Sequence, residues 1–230
     1  MILITGATGY LGRALSENLL HRGHPVRALV RPGSESRAPR GVQLAFGDAL
    51  QADSVAAAAL DCHTLVHLVG TPHPASWKQR EFERIDRASL FASVEAAVRR
   101  GVGHFVYVSV AHPAPLMHGY IAIRRQCEAR IAQAGLRASI LRPWYVLGPG
   151  HRWPVVLLPF YWLARQMRSS RQAALRLGLV KHSEMVAALA SAIENPPSPD
   201  NSGGRVWGPV EIRATAAEAG SAAARSAPGR

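Results

Sequence analysis

The first twelve residues limit the fold more than any other part of the chain. An apolar run, Met1-Ile2-Leu3-Ile4-Thr5, leads straight into Gly6-Ala7-Thr8-Gly9-Tyr10-Leu11-Gly12 and then into a segment of helical period. A buried strand, three glycines at this spacing and a helix give each glycine a task. Gly6 permits the tight turn, Gly9 lets backbone approach a pyrophosphate, and Gly12 lets helix and sheet pack closely. The N–H groups and positive dipole end of the helix then face the phosphates. The stretch from Gly6 to Gly12, with Thr8, Tyr10 and Leu11, is therefore a candidate dinucleotide cradle. The plainer reading is a structural glycine turn in an α/β protein without a ligand.

The same strand-then-helix pattern recurs along the chain. Short β-branched runs at 1–5, 25–30, 42–46, 64–69, 104–109, 138–141 and 205–207 predict strands. Helical periods at 10–22, 53–60, 78–100, 119–134, 154–168 and 181–194 separate most of them. Strand alternating with helix predicts an α/β doubly wound parallel sheet covered by helices. Gly23, Gly101 and Gly135 stand just past helices, where a left-handed residue is favoured. With 48% hydrophobic and 18% charged residues over 230, the chain suits one large domain, assigned here to residues 1–213. From 214 onward Ala, Ser, Gly and Arg show no apolar period, which predicts a disordered tail over 214–230.

Charge and cysteine content bound the function classes. The net charge of +12 raises the question of nucleic acid, yet 25 of the 27 basic residues are arginines scattered through every segment. A binding footprint needs clustering, so no specific nucleic-acid binding is expected. Cys62 and Cys127 lack metal-binding or disulfide spacing. His63 and His67, four apart on a strand, would lie ~13 Å apart and cannot share an ion, so no metal is expected. The absence of a basic-then-apolar leader suggests a cytoplasmic protein. Residues 153–165 are dense in large apolar side chains. They would serve as a lid over a substrate pocket, a peripheral membrane or protein-complex contact, or a helix buried on the sheet.

Sites that select NAD place an acid near the end of the second strand to bond the ribose hydroxyls. Here that place reads Val30-Arg31-Pro32-Gly33-Ser34. The Arg31 guanidinium suits a 2′-phosphate, with Ser34 and Arg37 nearby, so NADP is expected over NAD. Glu35 works against that choice. Asp48, after the third strand, either bonds the adenine amino group or caps the next turn. Gly70, after the fourth, lets a dinucleotide lie close to the backbone.

With this opening motif, Val106-Tyr107-Val108-Ser109 ending one strand and Leu141-Arg142-Pro143 ending another, the chain resembles the short-chain dehydrogenase/reductase superfamily. It looks most like the atypical NAD(P)-binding Rossmann branch that includes complex I accessory-subunit-like and NmrA-like proteins. The resemblance covers about residues 1 to 213. It implies a seven-stranded parallel sheet, a nicotinamide cofactor with Pro143 beside it, a small-molecule substrate and a Ser-Tyr-Lys catalytic set. Ser109 matches the serine and Tyr120 the tyrosine, while the lysine position is Arg124. Residues 120 and 124 share a helical face, so Arg124 would supply the cation that tunes the phenol. On that reading Arg124→Lys is tolerated or raises turnover. The resemblance thus implies NADPH-dependent reduction of a carbonyl-type or quinone-like molecule, or alternatively a non-catalytic NADP(H)-binding sensor or assembly protein.

Overall fold

The strands are short and rich in apolar residues, and in the central ones alternate side chains are buried on opposite faces. In the computed structural model, which describes residues 1–71, 75, 77–113, 117–149, 178–198 and 204–226, they are β1 (Ile2–Thr5), β2 (Val26–Val30), β3 (Gln43–Phe46), β4 (Thr64–His67), β5 (His104–Val108), β6 (Ala138–Leu141), β7 (Tyr145–Leu147), β8 (Leu179–Lys181) and β9 (Arg205–Trp207). Seven of them make one parallel sheet in the order β3-β2-β1-β4-β5-β6-β9. β7 and β8 pair in a separate parallel ribbon. The helices are α1 (Tyr10–His21), α2 (Ala52–Ala58), α3 (Gln79–Glu81), α4 (Ala88–Arg100), α5 (His118–Gln133), α6 (His182–Glu194) and α7 (Pro209–Ser226). A π-helical turn, Phe82–Arg87, joins α3 to α4 without a break.

The period-two alternation divides the core in two. Leu3, Leu65 and Phe105 point to one face, where they meet Val55 of α2, Val94 of α4 and Ile123 of α5. Ile2, Ile4, Val66 and Val106 point to the other, against Leu15 of α1, Leu189 of α6 and Ile212 of α7. A sheet covered on both sides needs apolar residues at nearly every strand position. Burying each Leu or Ile contributes about 1.5–3 kcal/mol.

Single-domain α/β architecture and the doubly wound sheet are as the sequence predicts, and Gly23, Gly101 and Gly135 all take positive φ. The expected tail differs: residues 214–226 continue α7 rather than lacking structure. Alanine favours helix without needing an apolar period, and Ile212, fully buried against the sheet, anchors the start of that helix. The strand expected at 64–69 ends at His67, because Leu68, Val69 and Gly70 leave the ladder and cross the mouth of a cleft. The helix expected at 154–168, and the apolar segment 153–165, lie outside the described residues.

On either side of β1 the crossovers run to opposite edges, to β2 and β3 one way and to β4 and β5 the other. A crevice opens at the carboxyl ends of the strands at such a switch point.

Candidate functional site: a cleft on the glycine turn

The crevice is a cleft of about 540 Å³ whose floor is the glycine turn, with Gly6, Thr8 and Gly9 on its surface. Gly6 sits at φ +80°, and a Cβ there would meet the Leu68 carbonyl carbon at 2.8 Å. A Cβ on Gly12 would run into the Gly6 carbonyl oxygen. Gly6 thus lets the turn lie against the backbone that follows β4, and Gly12 lets α1 lie against the turn, each at a distance only glycine allows. At Gly9 a Cβ would meet just the Gly6 oxygen, at 3.1 Å, and otherwise faces open space. Gly9 caps α1 with no side-chain bond, and no acidic residue stands in the first turn. An uncapped helix start over a cleft suits an anion, so the turn fits a dinucleotide pyrophosphate.

The rest of the motif faces elsewhere. Leu11 packs on the core. The Tyr10 ring lies 4.3 Å from that of His182, whose Nε2 is 3.1 Å from the Tyr10 carbonyl. Gly148 lies beside the Tyr10 hydroxyl, where a side chain would collide with it.

At the end of β2, Arg31 is exposed and, like Ser34, lines the cleft. The neighbouring Glu35 is turned back: its carboxylate accepts the Gly33 N–H at 3.0 Å. Bonds from its own and the Gly33 backbone N–H hold its pKa below the usual value. Asp48 lines the cleft and also caps its turn, accepting the Leu50 N–H at 3.0 Å while its own N–H donates to Ser54 Oγ.

Tyr120 and Arg124 belong to a different centre, a buried ion pair, with Ser109 one residue beyond the Val108 carbonyl that Arg124 binds. The Arg124 side chain donates from Nη2 to Asp86 Oδ1 at 2.6 Å. Its Nη1 donates to Tyr107 Oη at 2.9 Å and to the Val108 carbonyl at 3.0 Å. Asp86 Oδ2 in turn accepts the Thr71 N–H at 2.9 Å and the Thr71 hydroxyl at 2.5 Å. Gly70, another cleft residue, lies directly over the pair: a Cβ there would come within 2.8 Å of Arg124 Nη2.

The Arg124 guanidinium carbon lies 4.8 Å from the centre of the Tyr120 ring, which packs on Phe82 at 4.9 Å. Burial pushes the Tyr120 phenol above its usual pKa, against the downward pull of Arg124. The phenol therefore keeps its proton, and its surroundings leave it a weaker acid rather than giving the lowering expected from Arg124. Ser109 Oγ is buried with no partner among the described residues, and its N–H donates to the Leu141 carbonyl at 2.7 Å. Pro143 is buried, and its carbonyl accepts the Ala111 N–H at 2.9 Å.

The sequence left Asp86, Thr71, Arg84 and Ile85 unnoticed. Asp86 carried a signal: with Phe82, Leu90 and Ser93 it falls on the apolar face of its helix, and a buried acid requires a partner. Arg84 and Ile85, both on the cleft wall, carried none. Among the described residues no three His, Cys, Asp or Glu side chains gather to hold a metal. None of the helices there is long and apolar enough to cross a membrane.

A doubly wound sheet, a glycine turn under an uncapped helix and a cleft at the switch point define a dinucleotide-binding α/β protein. The chain belongs to the NAD(P)H-binding family, which it matches over residues 6–152. It is 35% identical over 159 residues to a rice (Oryza sativa subsp. indica) chloroplastic divinyl chlorophyllide a 8-vinyl-reductase, covering 62% of this chain and 39% of that one. It is 30% identical over 152 residues to a ceramide reductase of Caulobacter vibrioides, covering 65% and 47%. The match to each relative thus spans less than half of that relative's length. Among solved structures it resembles MoeE5 in complex with UDP-glucuronic acid and NAD, with a TM-score of 0.65 and 22% identity over 95% of this chain and 81% of that one. That likeness is one of fold. By family the chain is an NAD(P)H-binding protein.

Proposed function

We propose that this protein is an NADPH-dependent reductase of a small carbonyl-type or quinone-like substrate. The observation that carries the reading is the charge at the end of β2. Arg31 lines the cleft there with Ser34, while of the two nearby acids Glu35 accepts the Gly33 N–H and Asp48 accepts the Leu50 N–H. A cation rather than an acid therefore stands free at the place where a 2′-phosphate would fall. NADPH supplies the hydride when bound. The chain's own part is to seat the pyrophosphate on the glycine turn and to hold a protonated Tyr120 phenol as proton donor, with Ser109 as a second hydroxyl. The reductase names of the rice and Caulobacter relatives support the class of reaction.

One charge-assisted contact is worth on the order of 1.5–3 kcal/mol, hence roughly ten- to hundredfold in affinity. Fluorescence titration should therefore show NADPH binding tighter than NADH by that factor, with the gap erased in Arg31→Ala. Equal or tighter NADH binding by the native protein would overturn the cofactor choice. Steady NADPH oxidation across a panel of aldehydes, ketones and quinones tests the reaction. On any substrate so found, Tyr120→Phe should lower kcat by ~10²–10⁴-fold with NADPH affinity nearly intact.

One observation favours a second reading, a non-catalytic NADP(H)-binding sensor or assembly protein. Arg124, which stands where the superfamily has its lysine, gives its donors to Asp86, Tyr107 and Val108. Wild-type turnover in Tyr120→Phe, or no turnover by the native protein on any substrate, makes that the better account.

A further inference from the structure

Tyr120 lies beside a guanidinium, yet the net charge next to its ring is close to zero. The titratable groups around it are Arg124 and Cys127 on its own helix, Asp86 on the π turn and Tyr107 on β5. Burial pushes the Cys127 thiol up to about 11 and the Tyr107 phenol well above its usual value, so both are neutral near physiological pH. Two charges remain beside the ring among the described residues. The Arg124 guanidinium carbon is 4.8 Å from the ring centre, and Asp86 Oδ1 is 2.6 Å from Arg124 Nη2.

This pair is fixed on both sides. Asp86 is fully buried and Arg124 nearly so. Asp86 gives Oδ1 to the guanidinium, and Oδ2 accepts both donors of Thr71. Arg124 is held in turn by the Tyr107 hydroxyl and the Val108 carbonyl. An unpaired buried cation at this distance would favour the ionised phenol strongly, because little solvent screens it. With the carboxylate in place the two charges largely cancel at the ring.

The cancellation bears on the direction of proton flow. Reducing a carbonyl adds a hydride at carbon and a proton at oxygen, and the phenol that gives the proton recovers it from water. The reverse oxidation needs a phenolate to take the proton from the alcohol. We infer that Asp86 is a positioning residue of the Tyr120 site: by fixing and neutralising Arg124 it keeps Tyr120 a proton donor, which suits the site to reduction and withholds the base that oxidation needs. The inference rests on the reductase reading for its chemistry, while its charge arrangement is open to test without turnover.

Carbon-13 at the ring ζ position reports ionisation of each of the five tyrosines in the whole chain by NMR, and Tyr120→Phe identifies the Tyr120 signal. Asp86→Asn should move the Tyr120 titration to lower pH than in the native protein, by on the order of one pH unit. The double variant Asp86→Asn/Arg124→Gln replaces a neutral pair by a neutral pair, an exchange buried sites often tolerate, and should titrate close to the native protein. Should Asp86→Asn alone not fold, the double variant decides: an uncancelled Arg124 in the native protein would put the double variant at distinctly higher pH. An unmoved Tyr120 titration in Asp86→Asn, or that rise in the double variant, overturns the inference. On any substrate from the NADPH-oxidation panel, Asp86→Asn should also move the alkaline limb of the kcat profile to lower pH. If Tyr120→Phe loses turnover while Asp86→Asn moves neither titration nor limb, the reductase reading stands and this inference falls. If the titrations move as stated but the native protein turns nothing over, the reductase reading fails, and Asp86 keeps only its hold on the charge.

Discussion

Arg124 ties together three parts of the fold through one planar group: Asp86 in the π turn, the Tyr107 hydroxyl, and the Val108 carbonyl at the end of β5. A guanidinium presents donors in a fixed fork, so it can satisfy acceptors in several directions from a buried position. A lysine ammonium at the same site cannot reach all three, which reverses the tolerance that the residue types alone imply for Arg124→Lys. That variant should lose about 1–3 kcal/mol of stability through unsatisfied buried acceptors. Arg124→Leu, which strands the Asp86 carboxylate inside the protein, should lose about 3–5 kcal/mol. Urea unfolding monitored by circular dichroism checks both, and an unchanged midpoint in Arg124→Lys would contradict this account. The spacing of Tyr120 and Arg124 correctly predicted that they share a helical face. The acceptors that occupy the arginine lie 16, 17 and 38 residues away in sequence, so no local pattern could display them.

Elements that carry their own periodicity were legible, and those made by distant contacts were not. The opening strand, glycine turn and α1 are readable from twelve consecutive residues because each glycine answers a backbone requirement. The π turn lies inside what reads as a continuous helix from 78 to 100, and the partners of its Asp86, Thr71 and Arg124, lie 15 and 38 residues away in sequence. The ribbon of β7 and β8 rests on two three-residue strands far apart in the chain, too short for alternation to mark. The glycine turn gives a paired test at this scale. A side chain at Gly12 collides with the Gly6 carbonyl, whereas one at Gly9 mainly faces the cleft. Gly12→Ala should therefore push α1 off the sheet and cost roughly 2–4 kcal/mol of stability. Gly9→Ala should melt within a few degrees of the native protein yet bind NADPH at least about tenfold more weakly, since its methyl group stands where the pyrophosphate must approach. Thermal melts and cofactor titrations on the two variants separate the roles. Equal loss of stability in both would mean that Gly9 serves packing rather than a ligand.

For the molecule as a whole, two core histidines set the response to acid. His67 lies within the sheet with Nδ1 at 3.0 Å from both the Thr5 and Ser93 hydroxyls, and burial, helped by the Arg124 charge, brings its pKa down to about 3. His104 on the neighbouring strand is 3.0 Å from the Ser139 hydroxyl through Nε2, and burial, with the Arg137 charge next, brings its pKa to about 4. Both are neutral in the folded protein, whereas in the unfolded chain each takes a proton near the ordinary value of 6.5. Below that value the unfolded state binds more protons than the folded one, so stability rises with pH through this window. It is fully present above about pH 6.5 and is lost as the pH falls from there through about 4 and 3. Each histidine contributes a slope of about 1.4 kcal/mol per pH unit where only the unfolded form is protonated. Since most carboxylates titrate near ~4, the interval from about 6 to 5 isolates the histidines. Melting curves at half-unit steps from pH 7.5 to 4.5 should show a flat Tm above about 6.5 and a steady fall below it. In His67→Gln, which keeps polar contacts for Thr5 and Ser93 but cannot titrate, the fall should be shallower but not abolished, since His104 and the partly buried His63 are also lowered by burial. A flat Tm down to pH 5 in the native protein, or an unchanged slope in His67→Gln, would show that these histidines are not what makes the fold acid-sensitive.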